Sequence, residues 1–121
     1  MENKGFSLHK RLMSFVFAVK GIGYTVMTQH NIWIHCFAAI CVVVLSILLN
    51  LSATEWCIVL FAIGFVICTE IFNTAIEMLV DLVSPLENKK AGIIKDISAG
   101  AVLVASIVAA IIGIIIFIHK L

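Results

Sequence analysis

The segment Ile97–Ile118, ISAGAVLVASIVAAIIGIIIFI, decides the class of this protein, because its 22 residues contain no charged side chain. About 20 consecutive apolar residues are needed to cross the hydrocarbon core of a bilayer, so this stretch is long enough to span a membrane as a helix. Across the whole chain of 121 residues, 63% are hydrophobic and 12% are charged. Soluble domains are about half apolar and about one quarter charged. The sequence therefore predicts an all-α membrane protein.

Two further apolar stretches predict a total of three membrane spans. Ile32–Leu51 has 20 residues, and His35 is its only ionisable group. The uncharged run Trp56–Thr69 has 14 residues, about 21 Å of helix, which is too short to cross alone. Its helical pattern continues past acidic residues until Pro85 stops it. We predict one domain over residues 1–121, with spans over about 32–51, 56–83 and 97–118.

The distribution of lysine and arginine predicts the side of the membrane that each loop faces. Seven of these residues lie before the first span or between the second and third spans: Lys4, Lys10, Arg11, Lys20, Lys89, Lys90 and Lys95. The hairpin Ser52–Glu55 has none, and the tail has only Lys120. Because basic loops stay in the cytoplasm, we expect a cytoplasmic N-terminus. Basic and large apolar residues alternate over about 6–27, which predicts an amphipathic helix in the cytoplasmic interface.

Composition and cysteine spacing exclude several other classes of function. A net charge of +1 argues against nucleic acid as a partner. The four cysteines lie in apolar runs without a C-x-x-C spacing, which favours small buried side chains over a metal or redox site. The chain also lacks the glycine-rich phosphate-binding signatures of soluble nucleotide-binding proteins.

The residues best suited to chemistry form an acidic stripe on the second span: Glu70, Asn73, Glu77 and Asp81. On a helix, these four positions fall within an arc of about 80°. Such groups are costly to desolvate at a membrane boundary, so the stripe must face a polar cavity or the cytoplasm. Their oxygens suit Mg²⁺, and one carboxylate beside the metal can act as a general base. The alternative, a solvated helix face, explains Asp81 well and Glu70 poorly.

A second polar cluster, Lys95-Asp96, lies just before the third predicted span and on the same predicted side as the stripe. The lysine could pair with phosphate oxygens. The simpler interpretation is a cytoplasmic lysine followed by an aspartate that caps the helix, and these two residues alone favour it.

Two motifs, in order and on one predicted side of the membrane, are specific enough to indicate a family. They are E-x-x-N-T-A-I-E-x-x-V-D over Glu70–Asp81 and K-D-x-x-A-G-A-V over Lys95–Val102. Together they resemble the bacterial integral-membrane diacylglycerol kinase and undecaprenol kinase family, and the resemblance covers nearly the whole chain. It implies a homotrimer in the bacterial inner membrane. It also implies transfer of the γ-phosphate of MgATP to a lipid hydroxyl at the cytoplasmic interface.

The resemblance also implies roles for individual residues. Glu70 matches the proposed general base of the family, and Glu77 matches a ligand of Mg²⁺ and the nucleotide. Asn73 and Asp81 would line the substrate. The implied nucleotide contacts are Lys95, Asp96 and, in the surface helix, Lys10.

Three departures from the family pattern concern the nucleotide and its metal. Gln29 stands where the family has a glutamate that is a second metal and nucleotide ligand, so metal binding is expected to be weaker or altered. Trp33 replaces an arginine, and the loop Leu86–Lys90 lacks the usual Glu-Tyr-His run. The form of the second-span motif looks more like the members that phosphorylate undecaprenol, with diacylglycerol as the second choice.

Two other classes of function fit the same architecture. A small oligomeric transporter would need Glu70 near the middle of the membrane, with access from both sides. An inactive scaffold would keep the fold and lose the chemistry, and Gln29 is the only residue that supports it.

Overall fold

The computed structural model describes residues 5–121, which form four helices: α1 Leu8–Thr28, α2 His30–Leu48, α3 Ala53–Val83 and α4 Lys89–Lys120. The helices α2, α3 and α4 are each long and apolar enough to cross a membrane. The predicted all-α class with three such helices is therefore confirmed. Lys4, which entered the charge distribution, lies outside the described residues.

The turn between α2 and α3 is defined by local hydrogen bonds at both helix ends. Asn50 has a left-handed φ of 52°, and the backbone N–H of Leu51 donates to the carbonyl of Ser46, so α2 ends at Leu48. In a reciprocal pair, the hydroxyl of Ser52 accepts from the backbone of Glu55, whose carboxylate accepts from the backbone of Ser52. This capping box starts α3 at residue 53, three residues before the predicted start.

The turn between α3 and α4 is shorter than the sequence predicted. α3 ends at Val83, as the proline signal indicated. The side chain of Asn88 accepts from the backbone N–H groups of Lys90 and Ala91, so α4 begins at residue 89 rather than near 97. Asp96 therefore lies inside α4, and the interpretation of this residue as a helix cap is wrong.

α3 is the central helix, because it contacts α1, α2 and, most extensively, α4. At one end of the α3–α4 pair, Lys120 Nζ lies 2.9 Å from Glu55 Oε1. Beside this ion pair, Leu51, Val59 and Ile116 form a small buried apolar cluster. We call this end the capped end.

The lengths of the two long helices place their polar residues relative to a bilayer. α3 has 31 residues and α4 has 32, so each is almost 50 Å long, against about 30 Å for the hydrocarbon core. With the capped end at one boundary, the core holds about 20 residues of each helix, to about residue 72 of α3 and residue 101 of α4. The outer half of the acidic stripe, Glu77 and Asp81, then lies beyond the core, and so does Lys95.

A side-chain contact fixes the junction of α1 with α2. The indole N–H of Trp33 donates to the carbonyl of Val26 at 2.9 Å, across the connecting residue Gln29. Thr25, in the last turn of α1, is the buried residue of that helix. Large apolar side chains elsewhere on α1, such as Phe15 and Val19, are exposed, which is typical of a surface that meets lipid or another subunit.

Candidate active site

The acidic stripe of α3 runs from the interior of the structure to its surface. Glu70 is 1% exposed and Asn73 is 6% exposed, whereas Glu77 is half-buried and Asp81 is exposed. Glu70, Asn73 and Asp81 each contact a side chain of a neighbouring helix. The stripe is therefore neither fully solvated nor fully sealed.

Glu70, at the inner end of the stripe, pairs with His35 of α2. The His35 Nε2 atom lies 3.2 Å from Glu70 Oε1. An ionised carboxylate can only accept hydrogen bonds, so we assign the tautomer in which Nε2–H donates. The second oxygen, Oε2, is buried and has no hydrogen-bond partner within residues 5–121. A buried carboxylate oxygen without a partner is costly, so it calls for an explanation, and a catalytic role is one.

Asn73 and Glu77, in the middle of the stripe, belong to a hydrogen-bonded chain that reaches α4. Asn73 Nδ2 donates to Glu77 Oε1 at 3.2 Å. The buried hydroxyl of Ser98, on α4, donates to Asn73 Oδ1 at 2.7 Å. Both polar atoms of the amide are therefore satisfied, and one oxygen of Glu77 is oriented by the amide.

Asp81, at the outer end, forms an ion pair with Lys95 of α4. These two residues border a pocket of about 590 Å³, which is also lined by the whole α3–α4 loop and by the first turn of α4. With the capped end at one membrane boundary, the pocket lies beyond the hydrocarbon core. It offers charged and amide groups to a water-soluble ligand.

Among residues 5–121, the other predicted site residues lie outside the side-chain contacts of the acidic stripe. Asp96 is exposed on α4, and within residues 5–121 it takes no part in the contacts of the stripe. Lys10 is exposed in the first turn of α1, about 22 Å along that helix from the buried Thr25. Gln29 is half-buried between α1 and α2, where its backbone N–H donates to the carbonyl of Thr25.

The donor set suits a magnesium ion that arrives with a nucleotide. Among residues 5–121, no group of three or more His, Cys, Asp or Glu side chains is close enough to hold a metal alone. Mg²⁺ is usually bound by one or two carboxylates together with substrate phosphates. Glu77 fits this pattern, because Asn73 occupies only one of its two oxygens.

Sequence reasoning did not assign a role to His35 or Ser98, although both contact the stripe. For His35 a signal existed, because it is the one ionisable group in the first apolar stretch. For Ser98 the signal was its spacing of three residues from Lys95, which places both side chains on one face of a helix. That signal was hidden because the third helix was predicted to begin at residue 97.

Comparison with known proteins identifies the family. The sequence model of the prokaryotic diacylglycerol kinase family matches residues 16–117. The chain therefore belongs to this family of membrane proteins, and it is an ATP-dependent lipid kinase.

Two relatives with known names match most of this chain. Undecaprenol kinase of Bacillus subtilis (strain 168) is 40% identical over 114 residues, which cover 94% of this chain and 93% of the relative. Diacylglycerol kinase of Synechocystis sp. is 40% identical over 103 residues, which cover 84% of this chain and 59% of the relative. The first relative thus matches this chain along almost its full length.

Proposed function

We propose that this protein transfers the γ-phosphate of MgATP to the hydroxyl of a membrane-embedded polyprenol, with undecaprenol as the preferred acceptor and diacylglycerol as the second candidate. The observation that carries the proposal is the buried Oε2 of Glu70, which has no hydrogen-bond partner among residues 5–121 and lies at the edge of the estimated hydrocarbon core. The near full-length likeness to a protein named undecaprenol kinase supports the choice of acceptor.

Glu70 is assigned as the proton acceptor. The lipid hydroxyl gives its proton to Oε2 as its oxygen attacks the γ-phosphorus. One phosphorus–oxygen bond forms to the lipid, the bond from the γ-phosphorus to the β–γ bridging oxygen breaks, and ADP leaves. The contact of His35 with the other carboxylate oxygen supports this role, because it orients the carboxylate and leaves Oε2 as the atom to take the proton.

The phosphates of ATP are assigned to the outer half of the stripe. Glu77 and Gln29 would hold Mg²⁺, which supplies charge neutralisation to the phosphate oxygens when it is bound. Lys95 lies at the border of the polar pocket and can stabilise phosphate charge. Asn73, between Glu70 and Glu77, and Asp81, at the outer pocket, are assigned as residues that line the substrates. Lys10 and Asp96 are assigned as further nucleotide contacts on the strength of the family pattern alone.

The membrane arrangement is part of the proposal. We assign the N-terminus and the α3–α4 loop to the cytoplasm of a bacterial inner membrane, because these segments carry most of the lysines. α1 would lie along the cytoplasmic interface. The large exposed apolar side chains on α2, α3 and α4 fit contact with lipid or another subunit. Assembly as a homotrimer is assigned on the strength of the family pattern alone.

The transporter alternative is less well supported by the position of Glu70. This residue is 17 positions after the first residue of α3, about 26 Å along the helix, which is near a boundary rather than the middle of the core. A cavity of about 280 Å³ extends from His35 between α2, α3 and α4, and its lining is mostly alanine, valine and isoleucine. A polar solute would find few ligands there.

The test is a transfer assay with purified protein in lipid nanodiscs. We expect γ-labelled ATP to label undecaprenol strongly and diacylglycerol weakly or not at all. The O-acetylated polyprenol, which lacks the hydroxyl, is the matched control and should stay unlabelled. Labelling of diacylglycerol alone would overturn the assigned acceptor and leave the lipid kinase in place. If no lipid hydroxyl is labelled, the proposed reaction is wrong.

A further inference from the structure

The hydroxyl of Ser98 is the first member of a hydrogen-bonded chain that ends on the carboxylate of Glu77. Ser98 and Asn73 are each only 6% exposed. The Ser98 Oγ to Asn73 Oδ1 distance is 2.7 Å, and the Asn73 Nδ2 to Glu77 Oε1 distance is 3.2 Å. The first distance is typical of a well-formed O–H···O hydrogen bond. The chain thus connects the interior of α4 to a proposed metal and nucleotide ligand on α3.

Electrostatics fixes the direction of this chain. A carboxylate accepts hydrogen bonds only, so the NH₂ group of Asn73 must face Glu77. The amide oxygen of Asn73 then faces Ser98, and the serine hydroxyl must donate to it. If the amide were rotated by 180°, its oxygen would face the carboxylate of Glu77 and the two would repel each other. In this orientation the amide oxygen of Asn73 needs a donor, and the hydroxyl of Ser98 supplies it.

We propose that Ser98 is a positioning residue for nucleotide binding, acting through Asn73 on the carboxylate of Glu77. The inference rests on the proposed function, because it requires Glu77 to meet MgATP. Without the hydroxyl, the buried amide oxygen of Asn73 loses its donor, so the orientation that donates to Glu77 carries the cost of an unsatisfied buried oxygen and is held less firmly. Glu77 then has to be ordered by the ligand itself, which weakens binding.

The protein offers a matched control on α4, the helix that carries Ser98. Ser106 lies two turns further along α4, and its hydroxyl oxygen is buried without a hydrogen-bond partner within residues 5–121. Ser106→Ala and Ser98→Ala therefore remove the same atoms from the same helix. Only the second change removes a contact that leads to Glu77.

The experiment measures the Kd of MgATP by calorimetry, without lipid acceptor, and the steady-state constants with it. For Ser98→Ala we expect the Kd and the KM for MgATP to rise about 5- to 10-fold, the loss expected for one buried hydrogen bond. We expect kcat to stay within about twofold, because an interaction made equally in the ground and transition states changes KM alone. Ser98→Thr keeps a hydroxyl and should restore binding, and Ser106→Ala should bind as the wild type does.

A double-mutant cycle separates positioning from packing. In an Asn73→Ala background the chain is already broken, so the added Ser98→Ala change should leave the Kd of MgATP unchanged. Additive losses, a normal Kd in Ser98→Ala, or equal losses in Ser98→Ala and Ser106→Ala would each overturn the role of Ser98. If the wild type transfers phosphate while any of these results holds, the proposed function survives and only the Ser98 inference fails. A wild type that neither binds MgATP nor transfers phosphate contradicts both.

Discussion

α3 carries two glutamates that each contact a neighbouring helix, Glu55 in its first turn and Glu70 near its middle. The two differ in what surrounds their remaining oxygen. At the capped end, the side chain of Glu55 is 25% exposed, so water can reach the oxygen that Ser52 and Lys120 do not use. Near the middle of the helix, the side chain of Glu70 is 2% exposed, and its Oε2 has no partner within the described residues. The first arrangement stabilises a helix end. The second fits the proton acceptor that we propose.

This difference shows why similar contacts on one helix serve different purposes. The local hydrogen bonds of Glu55 satisfy backbone groups that every helix start leaves open. The contact of Glu70 with His35 comes from a residue 35 positions away and satisfies only half of the carboxylate. A fold that is selected for stability alone would not retain a half-satisfied buried acid.

The largest expected effect comes from Glu70→Gln. The amide cannot accept the proton of the lipid hydroxyl, so turnover at saturating MgATP should fall by about 10²- to 10⁴-fold. His35 can still donate to the amide oxygen, and the Kd of MgATP should therefore stay near that of the wild type. A turnover within tenfold of the wild type would remove Glu70 as the proton acceptor.

A smaller effect is expected from Glu77→Ala. Loss of the one carboxylate that suits Mg²⁺ should raise the half-saturating Mg²⁺ concentration by about tenfold or more. Titration of Mg²⁺ at fixed ATP measures it, with Glu55→Ala at the capped end as the control. An unchanged Mg²⁺ dependence would reassign Glu77 to the solvated face of the helix.

The substitution Gln29→Glu tests the departure from the family pattern. If position 29 faces the metal, the added charge should lower the half-saturating Mg²⁺ concentration by roughly three- to tenfold, without any need for a higher kcat. Gln29→Met, of similar size but without an oxygen, should have the opposite effect. No change, or a rise caused by repulsion from neighbouring carboxylates, would show that Gln29 is not a metal ligand.

The smallest effect is expected from Ser52→Ala at the capped end. Loss of the capping hydroxyl should lower the free energy of unfolding by about 1 kcal/mol, seen as a reduced midpoint of thermal unfolding. Turnover measured well below that midpoint should match the wild type. A loss of turnover there would mean that the capped end takes part in the reaction.

The elements of the fold that depend on local sequence could be predicted. The apolar runs indicated three long helices, and Pro85 correctly marked the end of α3. Helical spacing alone placed Glu70, Asn73, Glu77 and Asp81 on one face, whereas their graded burial comes from the packing of α2 and α4 against that face. These predictions hold because the number of residues per helical turn and the thickness of a bilayer are nearly constant.

The contacts between helices could not be predicted from these signals. Nothing in the spacing of α3 indicates that His35 meets Glu70 or that Ser98 meets Asn73, because both contacts depend on how the helices pack. The start of α4 was missed because the lysines after residue 88 resemble a loop, whereas Asn88 supplies a cap and the helix continues into the polar region. The roles of Gln29, Lys10 and Asp96 remain predictions.

The central claim is that proton transfer depends on the buried Glu70 of α3 and not on Glu55 at the capped end. Its most direct test makes the same substitution at both places and measures lipid phosphorylation and thermal unfolding on each preparation. The account predicts that Glu70→Gln loses transfer and keeps its unfolding midpoint within a few degrees, while Glu55→Gln keeps transfer. Full transfer in Glu70→Gln, or equal losses in the two variants, would contradict it.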